Sequence, residues 1–416
     1  MKIVILGAGV IGVSAAYFLG SRGHEVEVIE RNGASSMETS FANGGQLSFS
    51  HAEPWANPAV FAKIAKWMFK DDAPLVLRPR ADLDMLDWGL RFLFNCSEPR
   101  ANANSVNILR LGLYSKKKME WLRSFTGIKF DNIREGILHV FTQEKDFEGA
   151  VKQAKFQDKF GCPSEIASHK KCLQIEPALE HAGRPILGGI FQPLDESGDV
   201  FTFTQELAKL CEKEHKTVFH YNTTLKSINQ SGGKITSVTT DKGDITADAY
   251  IVSLGSYSSL YLKPIGIKVP IYPMKGYSIT FPVNHYTPTV SLTDTENKIV
   301  YSRLGNRLRI AGTAEFAGHN TTIRAERIAP IVNAVRSLLP KCEYGAPESQ
   351  WACLRPSTPD GPPIIGKTKY SNLYMNTGHG TLGWTQAAGS AALIADIIEN
   401  RETEISLEGM GVDRYW

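Results

Sequence analysis

The feature that most constrains this chain lies at its start. Lys2–Leu6 reads KIVIL, and the six residues after it, Gly7-Ala8-Gly9-Val10-Ile11-Gly12, space three glycines as G-x-G-x-x-G. A β-branched apolar run is the pattern of a parallel strand buried on both faces. The apolar stretch Ile11–Leu19 predicts a helix, and Glu25–Ile29 predicts a second strand that stops at Glu30 and Arg31. Each part has a physical task. Gly7 permits the tight turn. Gly9 lets backbone approach a pyrophosphate seated on the helix N-terminus, and Gly12 lets helix and strand pack closely. Glu30 sits where a carboxylate accepts the ribose hydroxyls. Strand, turn, helix, strand and acid in that order predict a dinucleotide-binding unit. The acid would repel a 2′-phosphate, so NADP is disfavoured, and NAD and FAD both stay open on this motif.

A second cluster of small residues follows, ETSFANGGQLS at Glu38–Ser48. A nicotinamide domain does not need one there. A flavin is a flat, rigid tricycle that has to lie against backbone amides, and glycine clears the approach. This assigns Thr39 and Ser40 to the pyrophosphate and Asn43, Gly44, Gly45, Gln46 and Leu47 to the ring. Two later stretches agree. Tyr250–Gly255 is an apolar strand ending in Gly255, after a strand pair at Lys234–Thr240 and Gly243–Ala247. Gly378-His379-Gly380-Thr381-Leu382-Gly383 is a glycine-rich loop that leads into an apolar helix, Thr385–Ile398. The N-terminus of that helix would stabilise negative charge on a reduced flavin. Leu225, before the strand pair, completes the expected cofactor set. Four glycine-rich segments fit one cofactor wrapped by a discontinuous domain.

Composition narrows the class. The chain has 416 residues, 42% hydrophobic and 21% charged, with a formal net charge of +3. That is ordinary globular content, with room for two or three domains and no charge argument for a nucleic-acid partner. The six cysteines, at 96, 162, 172, 211, 342 and 353, show no C-x-x-C or zinc spacing, so no metal is expected and reduced thiols are. The N-terminal apolar run breaks at the glycines without a small-residue cleavage site, so a secretory signal is not expected. No apolar run reaches the ~18 residues of a membrane-spanning helix.

With these residues in view, the chain resembles the FAD-dependent D-amino-acid oxidase superfamily, which also holds glycine and sarcosine oxidases, and within it the bacterial D-amino acid dehydrogenase branch of small-subunit type. The resemblance rests on GAGVIGVSAAYFL, ETSFANGGQLS, YPMKGYSIT at Tyr272–Thr280, AGTAEF at Ala311–Phe316, and LRPSTPDGPPIIG with GHGTLGWTQAAGSAALIADII near the C-terminus. It implies an α/β fold: a doubly wound, glutathione-reductase-like Rossmann FAD domain (1–52, 104–128, 184–262 and 353–416) interleaved with a mostly antiparallel α+β substrate cap (129–183 and 263–352). Residues 53–103 then form an insertion. It also implies oxidation of the Cα–N bond of a D-amino acid, with hydride passing to flavin N5 and the imino acid hydrolysing to a 2-oxo acid and ammonia. A secondary-amine acid such as D-hydroxyproline or sarcosine, and a non-catalytic flavin subunit, are the alternatives.

That chemistry needs the substrate carboxylate clamped. Arg355 is the candidate, since a guanidinium fork gives two parallel charge-assisted hydrogen bonds, and the matching family position faces the substrate. A structural pairing with Asp360 is the competing role. Tyr277 and Tyr301 on cap strands and His379 in the glycine loop are further candidates, each equally suited to a packing role, and His51 is a weaker one. Cysteine-tethered flavins occur in the superfamily near the position of Cys353. A buried apolar thiol and non-covalent FAD are expected here.

In the insertion, Pro58–Lys70 predicts a helix with Phe61, Ile64, Ala65 and Met68 on one face and Lys63, Lys66 and Lys70 largely elsewhere. A basic amphipathic helix with a tryptophan suits an anionic lipid surface. The resulting expectation is peripheral contact with the cytoplasmic face of the bacterial inner membrane, or a cytoplasmic location, with a quinone as electron acceptor.

Overall fold

Two sheets face each other across one cavity. The computed structural model describes residues 1–51, 53–61, 73–78, 80–342, 345 and 347–415. The first sheet has six strands in the order Ile364–Lys367, Leu373–Thr377, Ala249–Val252, Lys2–Leu6, Glu25–Ile29, Val218–His220. All its pairings are parallel except that of Ile364–Lys367 with Leu373–Thr377. The period of two explains the apolar runs. Ile3, Ile5, Val26, Val28 and Ile251 point to a core shared with helices Val10–Gly20, Val200–His215 and Gly383–Ile398. Val4, Leu6, Ile29, Tyr250 and Val252 point to the opposite core, roofed by the antiparallel strands Leu225–Ser231 and Lys234–Thr240. A sheet so covered on both faces is the doubly wound arrangement expected. Gly12 is the tightest point: a Cβ there would lie 1.9 Å from the Gly7 carbonyl oxygen.

The second sheet runs Ser349–Ser357, Tyr272–Pro282, Arg307–Phe316, Ile299–Leu304, Ser291–Asp294, Ile137–Phe141, Gly188–Gln192, Glu165–Ser168. It is antiparallel except between Ser291–Asp294 and Ile137–Phe141, and where Leu75–Leu77 joins the end of Arg307–Phe316. One face, with Tyr277, Ile279, Leu292, Ile299, Tyr301 and Ile310, packs under helix Ala325–Leu338. The other face, with His139, Thr293, Val300 and Ala311, lines the cavity. The predicted strands over 268–281 and 298–311 and the helix over 325–339 correspond to these elements.

Three expected boundaries do not follow the elements. Helix Glu98–Thr126 runs through 103 and packs along Gly383–Ile398. Strand Gly188–Gln192 lies in the second sheet although 184–262 was assigned to the FAD domain, and Ser349–Ser357 passes through 352 without a break. In the 53–103 segment, Asp82 caps helix Leu83–Asn95 by accepting from the Asp84 and Met85 amides. Trp88 and Phe92 of this helix pack against Tyr272, Met274 and Phe316, and Trp88 Nε1 donates to the Ser357 carbonyl at 2.8 Å. The predicted amphipathic helix over Pro58–Lys70 falls largely on residues 62–72, outside the described residues.

Candidate active site

The cavity between the sheets measures ≈ 490 Å³. On the first-sheet side it is lined by Gly7, Gly9, Val10, Ile11, Glu30, Arg31, Leu225 and Gly255. Helix Val10–Gly20 opens onto it with no acidic residue in its first turn and no side chain of its N-cap residue bonded there. The Val10 amide is met by Ser40 Oγ at 3.1 Å. Glu30 is fixed by its own surroundings: Oε2 accepts from the Ala8 amide at 2.9 Å, and Oε1 accepts from the Asn32 amide and side chain. Arg31 pairs with Glu38 and lies 4.1 Å from the Tyr257 ring centroid. Two helix N-termini meet at this cavity, since Gly383–Ile398 also begins there with no side-chain cap bond at Leu382. Two positive helix ends with no carboxylate in their first turns suit an anionic pyrophosphate and a ring that gains negative charge.

The Glu38–Ser48 loop runs along the same wall, with Thr39, Ser40, Asn43, Gly44, Gly45 and Gln46 lining the cavity. Its glycines have a second task that the flavin argument did not supply. A Cβ on Gly44 would come within 2.6 Å of Val300 Cγ2, and one on Gly45 within 3.1 Å of Ser302 Cβ. The loop is therefore wedged against the second sheet. Ser278, Ser302 and Arg309 donate to the carbonyls of Ala42, Gly44 and Asn43, and the Gln46 amide donates to Ser291, Leu292 and Thr293. Gly378, Gly380, Thr381, Leu382 and Gly383 complete this wall. Three expected cofactor residues do not reach it: Ala8 is buried with its amide given to Glu30, Gly12 abuts Gly7, and Leu47 is core. An elongated cradle, a placed acid and two open helix ends fit FAD.

The remaining wall belongs to the second sheet. Strand Ser349–Ser357 descends from that sheet to the glycine loop, where the Gly380 amide donates to the Pro356 carbonyl at 2.9 Å and Ser357 bridges His379. It carries Arg355 to the cavity. The guanidinium lies across Gly276, where a Cβ would sit 2.3 Å from Nη2. Its Nη1 donates to the Thr313 carbonyl at 3.0 Å. Among the described residues no carboxylate pairs with it, and burial pushes its pKa below the ordinary arginine value. The competing role is excluded, because Asp360 is held by Arg414 and Tyr415. A half-buried guanidinium paired only with a neutral carbonyl leaves its charge for a ligand carboxylate.

The other candidates divide. Tyr301 is fully buried in the core beneath helix Ala325–Leu338 and does not line the cavity. It is a packing residue, because the strand alternation that turns Val300 to the cavity turns Tyr301 away. Tyr277 lines the cavity, but its hydroxyl donates to Glu315 Oε2 at 2.6 Å. His379 also lines it; burial pushes its imidazole down to about 3, so it is neutral, with Nε2 unpartnered. Cys353 faces the cavity beside Arg355, and burial raises its thiol pKa. His51 joins His139 and Lys298 on the cap side, where burial, His51 and Lys298 push His139 down to about 3. Gly276 and Thr313 were missed. A glycine inside the run YPMKGYSIT signals a bulge or a close approach; Thr313 carries no sequence signal.

Comparison with known proteins places these features. A family model described as FAD dependent oxidoreductase matches residues 2–397. A D-amino acid dehydrogenase of Dechloromonas aromatica is 46% identical over 411 residues, covering 97% of this chain and 98% of its own. One of Allorhizobium ampelinum is 44% identical over 417 residues, covering 100% and 99%. Among solved structures, glycine oxidase from Geobacillus kaustophilus superposes with a TM-score of 0.78 at 19% identity, covering 99% and 98% of the two chains. L-amino acid deaminase from Proteus myxofaciens does so at 0.78 and 17%, covering 100% and 93%. These two structures share the fold.

Proposed function

The chain belongs to the FAD dependent oxidoreductase family, and from that premise we propose that it oxidises D-amino acids to 2-oxo acids and ammonia, with FAD held non-covalently between the two sheets. Bound FAD supplies the two-electron acceptor: hydride leaves Cα, the amine gives up a proton, and water hydrolyses the imino acid. The chain's own residues bind and orient. Glu30 would hold the ribose hydroxyls, and the two helix N-termini would stabilise negative charge on the pyrophosphate and the reduced ring. Arg355 would grip the substrate carboxylate with its fork and so point the Cα–H bond at the ring. The observation that carries this reading is the Arg355 guanidinium, unpaired by any described carboxylate and open to the cavity across Gly276. The buried, protonated Cys353 thiol is a poor nucleophile, which favours an untethered cofactor. Anaerobic titration tests the reaction: D-alanine should bleach the flavin and L-alanine should not. Bleaching by a cyclic imino acid alone would replace the substrate class, and no bleaching by any amino acid would leave a flavin-binding subunit.

The electron acceptor in this reading is a membrane quinone, reached by peripheral docking on the cytoplasmic face of the bacterial inner membrane. No helix among the described residues is long and apolar enough to cross a membrane. Helix Leu83–Asn95 exposes Leu83, Leu86, Leu90, Leu93 and Phe94 while burying Trp88 and Phe92. That apolar strip follows the Lys63, Lys66 and Lys70 segment in sequence, and a chain stretch combining lysines with exposed apolar side chains suits an anionic lipid surface. Wild type should sediment with anionic liposomes at low salt, and L86S/L90S/F94S should stay in the supernatant. Equal sedimentation of the two would remove the docking role and leave the flavin chemistry intact.

A further inference from the structure

Thr313 lines the cavity and has φ +57°, a left-handed conformation that β-branched residues avoid. Its hydroxyl is buried and makes no hydrogen bond, so no local contact of the side chain compensates the strain. The conformation coincides with a register shift. Lys275 faces Glu315 and Tyr277 faces Gly312, so Gly276 alone opposes Thr313 and Ala314. The same distortion directs the Thr313 carbonyl at Arg355 Nη1. Directly after it the chain is pinned. The Ala314 amide donates to the Pro74 carbonyl at 2.7 Å, and Arg327 reaches the Ala314 carbonyl. Glu315, wholly buried, accepts from Tyr277 and Arg78 and pairs with Lys275 at 3.3 Å.

We propose that Thr313 is a positioning residue for substrate binding: its left-handed backbone anchors Arg355 through a neutral main-chain carbonyl, fixing the fork while leaving its charge uncompensated. A carboxylate anchor would hold the guanidinium equally well but would neutralise it and compete with the substrate. A carbonyl accepts one N–H and leaves the cation for the ligand. Gly276 on the facing strand supplies the space into which the fork is held. Local strain is maintained here by the Glu315, Lys275 and Arg327 contacts, in the way strained backbone persists only where its surroundings over-determine it. The inference rests on the reading of Arg355 as the carboxylate clamp.

The test is anaerobic titration of FAD-loaded enzyme with D-alanine, which yields Kd and the limiting rate of flavin reduction. Thr313→Asn and Thr313→Gly change the side chain but suit the same left-handed backbone, and each should keep Kd within about twofold of wild type. Thr313→Pro fixes φ near −65° and should raise Kd roughly tenfold, about 1.4 kcal/mol, with the oxidised flavin spectrum unchanged. In an Arg355→Lys background, Thr313→Pro should add no further loss, as expected when one residue acts through the other. Weakening by Asn or Gly above about fivefold overturns the proposal, because the side chain would then matter. So does wild-type binding by Thr313→Pro, or an undiminished effect in the Arg355→Lys background. Should Thr313→Pro fail to hold FAD, the Asn and Gly variants decide alone. If Arg355→Lys itself binds D-alanine normally, it is the clamp reading that fails.

Discussion

The two walls of the cavity are built by different means. On the first-sheet side, Gly7, Gly9, Gly12 and Glu30 lie within one strand–helix–strand unit, and their geometry follows from neighbours in sequence. On the cap side, Gly276, Thr313 and Arg355 come from three strands that meet only through pairing. The contrast between two arginines makes the same point. Arg414 is saturated by Asp360 and Tyr415 and holds the C-terminal segment in place. Arg355, brought in by register, has among the described residues only a carbonyl. On the proposed reading, the cofactor would be held by a locally encoded motif and the substrate by a long-range alignment, in which a one-residue slip would turn Arg355 away from the cavity.

If that division is right, changes on the two walls separate cleanly. Gly12→Ala should have the largest effect. Its Cβ would meet backbone at 1.9 Å with nothing flexible to move, so the purified protein should carry no FAD and melt far below wild type; retention of FAD would break the comparison. Gly276→Ala should do the opposite. Its Cβ meets only the mobile end of Arg355, so the melting temperature and FAD content should hold. Substrate Kd should rise roughly ten- to hundredfold, the size of a lost charge-assisted pair. Glu30→Ala should weaken FAD on dialysis by about tenfold without altering D-alanine binding in enzyme kept saturated with FAD.

The smallest effect concerns acid stability. Burial lowers His379 from its ordinary 6.5 to about 3. Between those values the unfolded chain binds a proton that the folded chain does not. Stability from this group is therefore intact above pH 6.5 and is lost as pH falls toward 3, at about 1.4 kcal/mol per pH unit. His379→Gln should flatten that limb in denaturant titrations at pH 4–6. His139, shifted alike, keeps part of the slope. An unchanged limb would show that His379 is not buried as described.

The division also sets how far the sequence could be read. The first strands, the helix Val10–Gly20 and the acid at Glu30 were legible because patterning, turn chemistry and spacing all act within thirty residues. The Gly44–Gly45 turn was recognised as special, but its contacts with Val300 and Ser302 lie across the fold and leave no local trace. For Tyr301 the packing and site roles stay open in the sequence, because alternation fixes that neighbours face opposite sides, not which side is the cavity. The position of Arg355 in LRPSTPD marks it as a candidate, and the structure puts it on the cavity; the bulge beside it leaves no trace, since nothing in AGTAEF marks Thr313 as left-handed. The expected boundaries at 103 and 352 fall inside helix Glu98–Thr126 and strand Ser349–Ser357, elements whose continuity leaves no break in local patterning.

The central claim is that Arg355 turns a flavin-binding chain into a D-amino acid oxidising one. Its most direct measurement is the anaerobic titration of Arg355→Lys and Arg355→Ala beside wild type with D-alanine. Lysine keeps the charge but not the fork, so Kd should rise roughly ten- to hundredfold, and alanine should bind more weakly still, with FAD content equal in all three. Unaltered binding and turnover in Arg355→Ala would contradict the account.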